Sequence, residues 1–206
     1  MKLTVVALLH YFLFAVQSAP TSSPNLSPAF REAAERAKTL VEKILRDIPR
    51  AHAASVTAEG LTLDPAAHSA NLQMMVTSLG IPAAPVLKPL SEHFTLDDCV
   101  SRMSAGSRLY QGLLGVLSEK LSGLSDLRAN LRDLLTHITM MQEAAQLGGG
   151  VFNQNSSLDL AHRLHGNYDV QVATHLTLTQ LRSFCHDLIR SLRAVAAYRH
   201  RAAGTR

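Results

Sequence analysis

Apolar residues recur every three or four positions through four long stretches of the chain, a spacing that gathers them along one side of an α-helix. The first stretch opens with Ser27 as N-cap and Pro28 at the first helical position, and carries Phe30, Ala33, Ala37, Leu40, Ile44 and Ile48 on one stripe. Pro49 has no amide hydrogen to donate and its ring crowds the preceding turn, so the helix is expected to stop there. The second stretch begins at Thr95-Leu-Asp-Asp98, a capping box with Asp in place of Glu, and continues through Val100, Met103, Tyr110, Leu113, Leu114 and Leu117. The third starts at Ser125 with the cleanest stripe, Leu127, Leu131, Leu134, Ile138, Met141 and Ala145, and is expected to end at Gly148-Gly-Gly150. The fourth runs from about Asp169 to Tyr198 through Leu181, Phe184, Leu188, Leu192 and Val195.

Connection lengths then set the direction of each helix. Only about five residues, near Ser122 to Ser125, separate the second and third helices, which must run antiparallel. The first connection, Pro49 to Phe94, and the third, Gly148 to Asn167, are far longer than a hairpin needs. A helix of ~22 residues spans ~33 Å, and a long connection lets the chain return along that length and begin the next helix in parallel. The expected fold is all-α, an up-up-down-down four-helix bundle with long crossover loops. Within the first crossover, Asp64-Pro65 starts a short extra helix reaching Ser78, with Leu72, Met75 and Leu79 able to pack on the bundle. Ser78-Leu-Gly-Ile-Pro-Ala-Ala-Pro85 then turns the crossover sharply, its proline geometry lowering the entropy lost on ordering a long loop.

Composition adds to this picture without altering it. With 206 residues, 47% of them hydrophobic, the chain can fill one core and one domain. Lys2 before the apolar run Leu3 to Val16, and the small residues of Ala15-Val-Gln-Ser-Ala19, form the pattern of a secretory signal peptide over residues 1–18, leaving 19–206 as the bundle. The run is shorter than the ~20 apolar residues of a membrane span, and no later stretch is long enough, so no membrane insertion is expected and the chain should be secreted. The formal charge is +4, about +3 without Lys2. Its excess gathers near the end, where Arg182, Arg190, Arg193, Arg199, Arg201 and Arg206 face one acid, Asp187. For an exported chain with no aromatic residues interleaved for base stacking this argues against nucleic acid and leaves either weak attraction to sulfated glycans or a solvated helix face.

Candidate chemistry is sparse. There is no GxSxG, HExxH, P-loop or CxxC, so neither an enzyme nor a cofactor is expected. His162-x-x-His165 with Asp159 has the nearest approach to metal-ligand spacing but lacks a fourth ligand, and no metal site is assigned. Asn155-Ser-Ser157 is a glycosylation sequon, and Asn25-Leu-Ser27 another, weakened by Pro28. Cys99 and Cys185 should not be bonded to each other. One opens the second helix and the other lies ~13 residues before the end of the fourth, ~20 Å along the bundle, against the ~7 Å between Cα atoms that a disulfide tolerates. Opposite its core stripe the first helix carries Glu35, Lys38, Glu42 and Arg46, with Lys43 on the flank, and the third helix offers Asp126, Asn130 and Asp133.

Several segments together resemble the granulocyte colony-stimulating factor family of long-chain four-helix cytokines, the myelomonocytic growth factor type. These are Ser78-Leu-Gly-Ile-Pro82 followed by Ala84-Pro85, Cys99 opening a helix, Leu109-Tyr-Gln-Gly-Leu-Leu114, Gln146-Leu-Gly148, Leu181-x-Ser-Phe184 and Arg190-x-Leu-Arg193, in that order and spacing. The resemblance covers essentially the whole mature chain, strongly from about 68 to 147 and loosely in the first helix. It implies a secreted growth factor that binds and dimerises a class I cytokine receptor in a 2:2 complex and promotes proliferation, survival and differentiation of granulocyte-lineage cells. It places Glu42 on the family's key receptor-contact glutamate and Arg46 on a basic contact. A first receptor face then comprises Glu35, Lys38, Glu42, Lys43, Arg46, Asp126 and Asp133, and a second comprises Asn71 and Met74. The chain departs from the family in lacking both crossover disulfides, with Leu61, Ala67 and Pro89 where partners of Cys99 and its neighbours would be. Arg132 and Leu135 fall where the family has two aspartates, and Asn71 where it has an acid. Two other readings stand beside this one: another long-chain helical cytokine of the interleukin-6-like class with a related receptor, and a secreted lipid- or glycan-binding helical carrier, against which the 17% charged content and the absence of repeats argue.

Overall fold

The computed structural model describes residues 26–63, 70–148 and 156–198. Its first helix, α1 (Pro28–Ser55), begins where the side chain of Ser27 accepts a hydrogen bond from the Phe30 amide at 3.2 Å, with Pro28 in the first turn. Phe30, Ala33, Ala34, Ala37, Val41, Ile44 and Ile48 make the buried stripe. The expected Leu40 is instead half-buried on the flank, and Val41, about 100° further round the helix, takes its place.

Pro49 does not end α1. The proline removes one main-chain bond, to the Leu45 carbonyl, at ~3 kcal/mol. The continuation offsets this by burying Ala51, His52 and Ser55, with the Ser55 hydroxyl donating to the Ala51 carbonyl at 2.7 Å and to the Ser122 carbonyl at 3.1 Å. Tertiary burial outweighs the local breaker.

Among the described residues five more helices follow: α2 (Ala70–Ser78), α3 (Leu96–Ser118), α4 (Ser125–Ala144), α5 (Ser156–Arg163) and α6 (Asn167–Ala196). At the head of α3 the capping box is complete: Thr95 Oγ1 accepts from the Asp98 amide and the Asp98 carboxylate accepts from the Thr95 amide, both at 3.1 Å. Hydrogen bonds donated by the Thr95 amide and hydroxyl to the Asp98 carboxylate hold that carboxyl below the usual range. Helix α4 stops four residues before Gly148. Gln146 turns left-handed at φ 53°, while the Leu147 amide bonds the Gln142 carbonyl and the Gln146 amide that of Glu143, a Schellman ending without glycine. Helix α5 was not expected, because eight residues are too few for a period to show.

Side-chain register fixes the directions. Ser27 reaches the Ala144 carbonyl and Lys43 reaches Asn130, so α1 and α4 are antiparallel. His52 meets His175, which makes α1 and α6 antiparallel as well. On α3, Gly106 lies under the Phe184 ring, a Cβ there coming within 2.4 Å of it, and Tyr110 stacks on the same ring at 5.4 Å. Cys99, at the start of α3, lies beside Ser191 near the end of α6, so α3 and α6 also run oppositely. Since α1 and α3 both pack against α4 and α6, the parallel helices stand across the bundle from each other, and the order is up-up-down-down. The first half of α6, Val170 to Leu178, is buried on all sides because α1, α2 and α3 all pack on this helix.

Cys99 and Cys185 are both free and buried. Burial pushes the Cys99 thiol up to about 11 and Cys185 to about 12, so both act as small apolar side chains.

Candidate functional site

The polar side of α1 divides into two parts. Toward α4, Lys43 Nζ donates to Asn130 Oδ1 at 2.8 Å and pairs with Asp47 at 3.2 Å, and Asn130 Nδ2 also reaches Asp47, at 3.4 Å. Arg50 extends this seam to Asp47 at 3.7 Å and Asp126 at 3.9 Å. Asn130, read from the sequence as an outward position, is buried and works inside the seam. Its amide is satisfied by one cation and one carboxylate, the condition under which a buried polar group is tolerated. Lys43 thus clamps two helices, and Asp126 remains mostly exposed beside Arg50.

The outward part is different. Lys38 pairs with Glu35 at 2.7 Å and Arg36 with Glu32 at 2.6 Å, both surface pairs one turn apart. Glu42, half-buried, and Arg46, exposed, form no hydrogen bond or ion pair among the described residues. A carboxylate and a guanidinium one turn apart with no internal use are free to meet a partner's charges.

Beside this ridge a groove of about 450 Å³ separates α1 from α4, lined by Arg36, Thr39, Leu40, Asp133, Thr136 and His137. Asp133 stands at its rim, exposed and 3.8 Å from Arg132. The displaced Leu40 supplies the floor, and Met140 is exposed one turn beyond Thr136. Sequence reasoning missed this groove because it depended on Leu40 being core.

The second candidate surface sits on α2. Met74 is 67% exposed, while Leu72 and Leu79 are buried and Met75 half-buried, so Met74 does not pack inward with Met75. Asn71 belongs to α2, but its side chain lies outside the described residues. The helix closes in a Schellman motif: Gly80 sits at φ 66°, its amide bonds the Thr77 carbonyl, and the Ile81 amide that of Val76. Arg163 of α5 lays its guanidinium over Gly80, where a Cβ would come within 3.0 Å, and donates to the Ser78 carbonyl at 3.1 Å. The two crossovers are thereby tied together. Nothing in the sequence pattern signalled Arg163.

Several other expected positions lie outside the described residues: the signal segment 1–18, Asn25, Asp64-Pro65, Asn155 and the terminal arginines 199, 201 and 206. Among the described residues no three His, Cys, Asp or Glu side chains gather as a metal site, and no helix is long and apolar enough to cross a membrane.

No protein-family model matches the chain. Granulocyte colony-stimulating factor of Bos taurus is 34% identical to it over 80 residues, which is 37% of this chain and 41% of the relative. The protein of the same name from Ovis aries is also 34% identical over 80 residues, 46% of its length. The chain spans less than half the length of these curated relatives. Over that shared stretch, this all-α bundle is similar to granulocyte colony-stimulating factor.

Proposed function

We propose that the chain is a secreted cytokine that binds and dimerises a class I receptor of the granulocyte colony-stimulating factor receptor kind, promoting survival, proliferation and differentiation of granulocyte-lineage cells. The observation that carries this reading is the 80-residue similarity to granulocyte colony-stimulating factor in a chain folded as an up-up-down-down bundle. Export is supported by the signal-peptide pattern of residues 1–18. In this reading the ligand touches two receptor chains. Glu42 and Arg46 supply charges that need no partner within the bundle, Glu35, Lys38, Asp126 and Asp133 surround them, and Lys43 fixes the helix pair on which they are mounted. Met74 offers apolar contact at the second surface, where Asn71 cannot supply a negative charge, and two such ligands with two receptors close a 2:2 complex. Sequons at Asn155 and Asn25 would carry glycans on the exported chain.

The test is survival of myeloid progenitors with and without the cognate receptor, exposed to residues 19–206. Survival only when the receptor is present supports the reading. Survival through a different receptor of the class moves the assignment to the interleukin-6-like alternative, and binding to liposomes without receptor binding moves it to a carrier.

A further inference from the structure

The outer seam between α1 and α6, toward the end of the bundle where α1 begins, collects cations from both helices. The 3.0 Å contact of His52 with His175 sets the register of this antiparallel pair. Lys38 and Arg31 lie two and three heptads before His52, and because a heptad falls about 20° short of two whole turns, the row drifts outward from the interface. His52 is buried, Lys38 half-buried and Arg31 exposed, as that drift requires. On α6, Arg193 stands eighteen residues beyond His175, five whole turns at 3.6 residues per turn, and so in line with it. Eighteen residues before His52 is Ala34, which places Arg193 across the seam between Arg31 and Lys38, with Arg190 one turn nearer the middle.

The α6 row is covered at its start and open at its end. Arg182 donates to the Leu63 carbonyl at 3.2 Å, where the first crossover passes over α6, whereas His186, Arg190 and Arg193 are exposed. Two acids offset part of the charge: Glu35 pairs with Lys38 at 2.7 Å, and Asp187 with Arg190. The guanidinium groups of Arg31 and Arg193 make no hydrogen bond or ion pair among the described residues. Each presents a planar fork of N–H donors, the geometry that matches paired oxygens of an anion.

A polyanion is the partner this charge pattern fits. Arg31 and Lys38 are about 10 Å apart along α1 at 1.5 Å per residue, with Arg193 between them on the other helix, a spread that suits a chain of repeating anionic groups better than one small ion. Met74, Val86, Met140 and Tyr168, the large apolar side chains exposed among the described residues, all stand off the seam. It therefore has nothing to insert into a bilayer or to stack on a base, which leaves a sulfated glycan.

We propose that the α1–α6 seam is a docking site for a sulfated glycan chain of the extracellular space, in which Arg31 and Arg193 grip sulfate groups from opposite sides while Lys38 and Arg190 add attraction. The proposal rests on the function proposed above only in requiring an exported chain; no receptor takes part.

Binding of the purified full chain to immobilised heparin at about 0.15 M salt tests it, beside desulfated heparin and vesicles containing anionic phospholipid. Heparin alone should be bound. Arg31→Ala combined with Arg193→Ala should weaken that binding roughly thirtyfold and lower the slope of log affinity against log salt by up to about two. Arg108→Ala combined with Arg128→Ala, an equal loss of charge at exposed positions of α3 and α4, should change it by no more than about threefold. Arg193→Lys keeps a cation that also suits the carboxyl end of α6, and should bind nearly as the unaltered chain does. Equal losses in the two double variants, desulfated heparin bound as tightly as heparin, no binding at that salt, or a preference for vesicles each overturns the proposal. If the Arg31 and Arg193 double variant does not fold, acetylation of the unaltered chain decides: heparin shielding Lys38 but not Lys120 supports the seam, and equal shielding overturns it. Receptor-dependent survival of progenitors is read separately, so failure of either result leaves the other standing.

Discussion

Glu42 and Met74 both face a prospective partner, but one stands midway along a 28-residue helix and the other on a helix of nine residues, and different forces hold them in place. Helix α1 is anchored along its length by a buried stripe from Phe30 to Ile48 and by the Lys43–Asn130–Asp47 seam, so Glu42 and Arg46 rest on a rigid element and need no ion-pair partner within the bundle. Helix α2 has Leu72 and Leu79 as buried anchors, and its position is set at its end by the Gly80 turn and by Arg163 reaching over from the other crossover. The contrast teaches that a charged face can be left unpaired only where the scaffold beneath it is already determined, whereas a loosely anchored apolar contact depends on its hinge.

The sharpest way to break this contrast is Glu42→Lys. It should weaken receptor binding by ~2–5 kcal/mol while changing folding stability by no more than ~0.5 kcal/mol, measured by calorimetry and urea unfolding. Unchanged affinity would remove Glu42 from the receptor face. Met74→Glu should cost ~1.5–3 kcal/mol at the second surface only, so light scattering would show one-to-one complexes persisting and the 2:2 species gone. A variant that unfolds would instead place Met74 in the core.

Smaller effects sharpen the role of the hinge. Gly80→Ala puts a Cβ on a left-handed residue and against the Arg163 guanidinium, so it should cost ~1–2 kcal/mol, and it should lower 2:2 assembly before it touches binding through Glu42. Gln146→Gly tests the same kind of left-handed ending on α4, away from the hinge, with the opposite sign. Glycine relieves the left-handed strain at φ 53° but frees the unfolded chain, for a net gain of up to about 1 kcal/mol in urea unfolding with no change in either receptor contact. A loss of stability would show that the glutamine side chain contributes more than its backbone costs.

Much of the scaffold was legible in the sequence, for reasons visible at particular residues. The Thr95 and Asp98 cap was readable because both bonds span three residues, and the α6 stripe from Leu181 to Val195 because it repeats over four turns. The Leu40 position failed because Leu40 and Val41 fit the period almost equally well, and only the placing of α4 and α6 decides which is covered. Asn130 failed for a related reason: an amide in a polar row reads as surface until a neighbouring helix brings Lys43 and Asp47 to it.

By itself the sequence determined what short-range forces control: where helices begin, which side of each is apolar, and, through the contrast of short and long connections, that the bundle runs up-up-down-down. Only the tertiary structure decided that α1 passes through Pro49, that Arg163 closes over Gly80, that Lys43 reaches across to Asn130 while Glu42 stays unpaired, and that His52 meets His175. Each of those outcomes joins residues some 85 or more positions apart or sets a local penalty against burial by distant helices, a balance that no window of neighbouring residues contains.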